Sequence, residues 1–287
     1  MNETPLISTT ELAGRLGDPA LRVLDASWYL PDQNRDAAAE YLAAHIPGAL
    51  PIDIDAVADT ESGLPHTLPS SEVFAAAVEA LGLANDHFIV VYDGLGFFSA
   101  PRVRWMFRVF SHDRIAVLDG GFPKWRSEGL PIESGPAAPV PADRPFRTTF
   151  MPEMVRGLDD IRANLMDQAA LVLDARGPGR YAGSDPEPRP GVRSGHIPGS
   201  RNLHYASLSR ERDGTFHDKE TLETIFAKAG VSAEQPVICS CGSGVTACIL
   251  ALGLEILGHD RVAVYDGSWS EWGTRTDTPI ETGARPA

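Results

Sequence analysis

The sequence predicts two tandem copies of one α/β domain, each a parallel sheet flanked by helices. Three observations carry this. First, the chain echoes itself. Val23-Leu24-Asp25-Ala26 recurs as Val172-Leu173-Asp174-Ala175, and His45-Ile46-Pro47-Gly48 as His196-Ile197-Pro198-Gly199. Asp119-Gly120 with Trp125 recurs as Asp266-Gly267 with Trp272, and Pro131-Ile132 as Pro279-Ile280. Four matches in one order, at offsets of 147 to 151 residues, imply a duplicated domain. A solenoid repeat is far shorter. Second, short β-branched runs alternate with segments of helical periodicity, the pattern of a parallel sheet with helices on both faces. Third, the Pro-rich stretch Ser134-Gly135-Pro136-Ala137-Ala138-Pro139-Val140-Pro141-Ala142-Asp143 has no periodicity and reads as an extended linker. The expected division is residues 1–134, a linker over 135–147, and residues 148–287.

Within each copy the order reads strand, loop, strand, helix, strand, helix. Phe88-Ile89-Val90-Val91-Tyr92 and Val262-Ala263-Val264-Tyr265 are apolar runs bounded by Asp and Gly, as buried strands are. Ser71 to Leu81 and Lys219 to Ala229 carry apolar residues at helical spacing. Residues that recur in both copies read as structural. Asp25 and Asp174 end strands and tie down loops. His45 and His196 hold turns, and Trp125 and Trp272 anchor cores.

Composition excludes several classes. With 25 basic and 39 acidic residues the net charge is −14. Nucleic acid is not expected as a partner, because phosphate binding needs a basic face. A small anion held by one or two local arginines stays open. No apolar run is long enough to span a bilayer, so no membrane partner is expected. Met1-Asn2-Glu3-Thr4-Pro5 lacks the basic region and apolar core of a signal peptide. Three cysteines make no disulfide framework, and a reducing cytoplasm is the simplest setting. No Cys/His spacing suits a metal and no Gly-rich loop fits a nucleotide, so no cofactor is expected.

The most informative stretch is Cys239-Ser240-Cys241-Gly242-Ser243-Gly244-Val245-Thr246-Ala247. It follows the strand signal Pro236-Val237-Ile238 and leads into an apolar helical run from Cys248 to Leu257. A cysteine at such a turn sits where backbone N–H groups converge, with the positive end of a helix behind it. That setting favours a thiolate nucleophile. A buried cysteine in a Gly-rich turn is the plainer alternative. The duplication bears on the choice. Aligning Gly94-Leu95-Gly96 with Gly242-Ser243-Gly244 sets Asp93 opposite Cys241. The first copy therefore keeps the loop and lacks the thiol, as one active and one silent domain would. Cys239 points away from Cys241 by strand alternation and reads as buried and inert, and Cys248 as a packed residue opening the helix.

Cys-Gly-Ser-Gly-Val-Thr after a strand, in the second of two such domains, resembles the 3-mercaptopyruvate sulfurtransferases of the rhodanese superfamily. Asp25-Ala26-Ser27-Trp28-Tyr29-Leu30-Pro31, Ser99-Ala100-Pro101-Arg102-Val103, Leu118-Asp119-Gly120-Gly121 and Glu187-Pro188-Arg189 extend the resemblance over nearly the whole chain. One departure is Arg104, where the family has an aromatic residue; it reads as a surface change on a helix. The resemblance implies two rhodanese-like domains and sulfur transfer from mercaptopyruvate through a Cys241 persulfide, releasing pyruvate. A thiol such as thioredoxin, or cyanide, would accept the sulfur. It implies that the N–H groups of Gly242, Ser243, Gly244, Val245 and Thr246 stabilise the sulfur anion. Arg180 and Arg189 match the family's carboxylate-holding arginines, and a guanidinium fork suits a 2-oxo acid. Arg176 and Arg193 are weaker candidates in the same loop. Ser243, His66 and Asp55 match a proton relay in which the first domain supplies the histidine and the carboxylate.

Three rivals remain. Thiosulfate sulfurtransferases share the fold but carry charged residues inside the loop, which is uncharged here. A cysteine-dependent phosphatase needs an Arg six residues after the cysteine, where this chain has Ala247. A non-enzymatic rhodanese-like binding module would not need the cysteine with its complete loop.

Overall fold

A computed structural model describes residues 4–142 and 144–283. Residues 1–3, on which the leader reading partly rests, Asp143 of the expected linker, and residues 284–287 lie outside the described residues. The chain divides into two compact units. One comprises the residues up to Ala58, Leu68–Met151 and Arg210–Phe216; the other comprises Asp59–Thr67, Pro152–Ser209 and the residues from His217 on. Neither is contiguous in sequence. The segment expected to be an extended linker bonds to the first unit at both ends: Gly135 N–H donates to Leu42 O at 2.8 Å and Arg147 N–H to Asn85 Oδ1 at 2.8 Å.

In the first unit the order is β1 (Leu6–Ile7), α1 (Thr9–Arg15), β2 (Leu21–Asp25), α2 (Ala37–Ala43), β3 (Leu50–Pro51) and α3 (Ser71–Ala80). It continues with β4 (Phe88–Tyr92), α4 (Ala100–Val109), β5 (Ile115–Leu118) and α5 (Gly121–Ser127). The strands form one parallel sheet in the order β1-β5-β4-β2-β3. Every residue of β4 and β5 is buried, which is why these strands read as unbroken apolar runs.

The second unit repeats the plan. It runs β6 (Val155–Arg156), α6 (Leu158–Asp167), β7 (Leu171–Asp174), α7 (Pro178–Ala182), β8 (Arg201–Asn202) and α8 (Lys219–Lys228). Then come β9 (Val237–Ser240), α9 (Ala247–Ile256), β10 (Val262–Tyr265) and α10 (Ser268–Trp272). Its parallel sheet has the order β6-β10-β9-β7-β8, the same permutation as the first.

The recurring residues do the same work in both units. His45 Nδ1 meets Tyr41 O and His196 Nδ1 meets Tyr181 O, both at 2.8 Å, and each ring stacks on that tyrosine. Trp125 Nε1 donates to Pro131 O at 2.7 Å, and Trp272 Nε1 to Pro279 O at 2.8 Å. Asp25 and Asp174 each accept the N–H two residues on, at 2.9 Å. Ser70 and Asp218 cap the equivalent helices α3 and α8 through Val73 N–H and Thr221 N–H.

The surface expectation for Arg104 is overturned. Its side chain is buried, and Nε donates to Ile115 O at 3.1 Å. The reason is α4 itself, which is buried at every position but Arg108, so position 104 faces protein and not solvent. Among the described residues no helix is long and apolar enough to cross a membrane.

Burial of His112 has a measurable consequence. Its ring lies against Phe107 and Phe146, with centroids 5.6 and 5.4 Å away. Desolvation lowers the imidazole from 6.5 to about 4. The unfolded chain therefore binds a proton below pH 6.5 that the folded chain refuses until about pH 4. This contribution is fully present above pH 6.5 and is lost as pH falls toward 4. Between pH 7 and 5 the loss is on the order of 2 kcal/mol. Urea titrations at both pH values are expected to show that extra loss in wild type and not in His112→Phe. Equal pH dependence would contradict it.

Candidate active site

The second unit's sheet ends at a cysteine. Strand β9 is buried throughout, and the chain leaves it at Ser240 for Cys241, which is 1 % exposed. The loop from Gly242 to Thr246 then feeds α9. Gly244 has φ +78°, a left-handed conformation that a side chain disfavours. Gly242 has no such requirement; its constraint is steric. A Cβ there would lie 3.2 Å from Arg180 Nη2. Ser243 is 7 % exposed, and Val245 is buried.

The first unit shows what this loop conformation does. Asp93 stands at the position equivalent to Cys241, after β4 and before α4. Its Oδ1 accepts Leu95 N–H at 2.8 Å, and its Oδ2 accepts Phe98, Ser99 and Ala100 N–H at 2.7, 3.0 and 2.9 Å. Four main-chain donors thus converge on one buried carboxyl group. This is an anion-binding nest at a helix start, filled by its own carboxylate. In the second unit the counterparts of the first three donors are the N–H groups of Ser243, Thr246 and Ala247. Among the described residues these donate to no protein oxygen. Cys241 stands at the chain position that Asp93 holds in the first unit.

The loop is tethered from α10. Trp269 N–H donates to Cys241 O at 3.0 Å, and Ser270 N–H to Gly242 O at 2.8 Å. Ser270 Oγ adds a second bond to Gly242 O at 2.6 Å. Ser268 Oγ accepts the N–H of Cys241 itself at 3.1 Å.

Cations stand beside the loop. Arg180 donates to Glu187 Oε2 at 2.5 Å while lying next to Gly242. Glu187 also takes Arg176, which bonds Asp174 at 2.6 Å and Gly195 O at 2.8 Å as well. Arg176 is buried, stacks over Trp269 at 4.3 Å and is structural. Arg193 bonds the carbonyls of Trp272, Gly273 and Thr278, which is also a structural role. Arg189 places Nη1 3.5 Å from Ser270 Oγ and Nη2 3.5 Å from His66 Nε2. His66 is buried at φ +61°, an unusual conformation for a residue with a side chain. Its turn is closed by Asp59 N–H to Thr67 O at 3.0 Å and by the Ser62–Thr67 hydroxyl pair at 2.8 Å.

The second unit thus brings together Cys241, the loop residues from Gly242 to Thr246, Arg180, Arg189 and His66. Asp55 belongs to the first unit, where its Oδ2 accepts Trp28 Nε1 at 2.7 Å. Three residues had no role in the sequence reading: Glu187, Ser268 and Ser270. Only Glu187 had a signal, its place beside Arg189 in Glu-Pro-Arg. Cys239 is fully buried, and burial pushes its thiol well up. Cys248 is buried in α9, with Sγ 3.2 Å from Gly244 O.

The rhodanese-like domain family matches residues 8–128 and 158–275. The chain is 44 % identical over 297 residues to thiosulfate/3-mercaptopyruvate sulfurtransferase 1, mitochondrial, of Arabidopsis thaliana, covering 97 % of this chain and 78 % of that protein. It is 46 % identical over 275 residues to the thiosulfate sulfurtransferase of Cricetulus griseus, covering 93 % and 91 %. The crystal structure of SseA, a 3-mercaptopyruvate sulfotransferase from Escherichia coli, superposes with a TM-score of 0.84 at 38 % identity, over 93 % of this chain and 99 % of that one. Both units carry the fold, and Cys241 of the second stands where the first has Asp93. The chain belongs to the rhodanese family and is a sulfurtransferase built of two rhodanese-like domains.

Proposed function

We propose that the chain transfers sulfur from 3-mercaptopyruvate through a persulfide on Cys241, releasing pyruvate. The observation that carries this donor choice is an uncharged Gly-Ser-Gly-Val-Thr loop with Arg180 against Gly242. Relatives of both donor classes are similar to the chain, so likeness alone does not choose between them. A 2-oxo acid needs a cation for its carboxylate and a neutral cradle for its sulfur. Arg180 and Arg189 supply the first, and the loop N–H groups the second.

The chemistry balances without a cofactor. Cys241 thiolate attacks the donor sulfur, an S–S bond forms, and the C3–S bond breaks. The electron pair stays on C3 as pyruvate enolate, which takes up the proton shed by the donor thiol. Ser243 and His66 are proposed to carry that proton. Asp55 enters the relay on the sequence resemblance alone. An acceptor thiol, such as a thioredoxin, or cyanide then removes the outer sulfur. A cytoplasmic setting is proposed because it keeps Cys241 reduced.

The test is kcat/KM for mercaptopyruvate and thiosulfate at one fixed acceptor. Mercaptopyruvate is expected to be well ahead. Thiosulfate is a dianion, and loop cations would help to hold it. Gly242→Arg with Ser243→Lys is expected to move the ratio toward thiosulfate, partly because a side chain at 242 displaces Arg180. Wild type preferring thiosulfate would overturn the donor choice.

A further inference from the structure

We propose that Ser268 is a positioning residue whose hydroxyl fixes the Cys241 backbone, so that Sγ stays over the open N–H groups of its loop. The proposal rests on the reading that Cys241 carries the sulfur.

Three observations support it. Ser268 has φ +50° and is fully buried, a conformation disfavoured for any residue with a Cβ. Its counterpart in the silent unit is Gly121, at φ +56°. A Cβ on Gly121 would come within 2.7 Å of Asp93 O and Gly96 Cα, so glycine is the natural occupant of this corner. The unit with the thiol nevertheless holds a serine there.

The hydroxyl explains why. It donates to Tyr265 O at 2.7 Å, which commits its hydrogen, and a lone pair then accepts Cys241 N–H at 3.1 Å. That N–H lies on the peptide preceding the Cys241 Cα. Fixing it fixes φ at Cys241 and the direction in which Cβ leaves the chain. The carbonyl side of Cys241 is held in both units, by Trp269 N–H here at 3.0 Å and by Phe122 N–H on Asp93 at 3.1 Å. Asp93 needs no further tether because its carboxylate makes four bonds to its own loop. A thiolate makes weaker, longer bonds and cannot anchor itself in that way. Ser268 supplies from outside the constraint that the carboxylate supplies from within.

The experiment compares wild type, Ser268→Gly and Ser268→Ala in single turnovers with mercaptopyruvate and no acceptor. Ser268→Gly removes the hydroxyl and the backbone strain together, so its Tm is expected to match or exceed wild type. Persulfide formation on Cys241 is nevertheless expected to fall about tenfold in both variants, the scale of one lost positioning contact. KM stays within about twofold, because substrate contacts are untouched. Alkylation of Cys241 by iodoacetamide at fixed pH slows in parallel. The Cys241 amide is protected from hydrogen exchange in wild type and exchanges faster in any variant that folds. A merely structural serine would change Tm and leave the alkylation rate alone. Wild-type persulfide formation in either folded variant would overturn the proposal. So would a Cys241 amide that exchanges in wild type as fast as an exposed one, a result that needs no variant. Absence of a Cys241 persulfide in wild type would instead overturn the sulfur-carrier reading, and this proposal with it.

Discussion

Cys241→Ser is expected to abolish turnover with every sulfur donor, by roughly three orders of magnitude or more. The cause is chemical. A serine hydroxyl at neutral pH is not ionised, and an O–S adduct is not a competent carrier. Packing is expected to survive, because the change is nearly isosteric at a site that is 1 % exposed. Cys239→Ser and Cys248→Ser are the controls. Cys239 is fully buried with its thiol pushed well up, and Cys248 packs inside α9. Each is expected to keep turnover within several-fold. Steady-state rates and thermal unfolding of the three variants check the contrast. Residual wild-type turnover in Cys241→Ser would assign the chemistry elsewhere.

Arg180→Ala and Arg189→Ala carry the second-largest effect. A charge-assisted hydrogen bond to a carboxylate is worth about 1.5–3 kcal/mol. Each variant is therefore expected to lose one to two orders of magnitude in kcat/KM for mercaptopyruvate. The two are not equivalent. Arg180 shares Glu187 with the buried Arg176, so its removal leaves Glu187 one partner fewer. Arg189 reaches Ser270 and His66 instead, at 3.5 Å each. Arg180→Ala is thus expected to cost some stability as well, and Arg189→Ala mainly activity. Wild-type kinetics in both, at unchanged Tm, would reduce these arginines to surface charges.

The fold was legible because each recurring residue has a fixed mechanical task. Trp125 and Trp272, or His45 and His196, must reach the same carbonyl in each copy, so the duplication preserves them in register. Arg104 was misread because periodicity reports which residues are polar, not how many faces of a helix are covered; α4 is covered nearly all round. The proposal of Cys241 as nucleophile rests on a contrast visible in the sequence, Asp93 in one copy against Cys241 in the other. The supports of Cys241 are not visible there. Ser268 acts through φ +50° and a hydroxyl directed at a residue 27 positions away, and a string of letters shows neither. The regrouping of Asp59–Thr67 and Arg210–Phe216 is likewise a matter of tertiary packing that no local propensity encodes.

The most direct test of Cys241 as sulfur carrier is the mass of the protein after incubation with mercaptopyruvate alone, followed by peptide mapping. One sulfur, about 32 mass units, is expected on Cys241, and adding a thiol acceptor is expected to remove it. An unchanged mass, or an adduct on Cys239 or Cys248, would contradict the assignment.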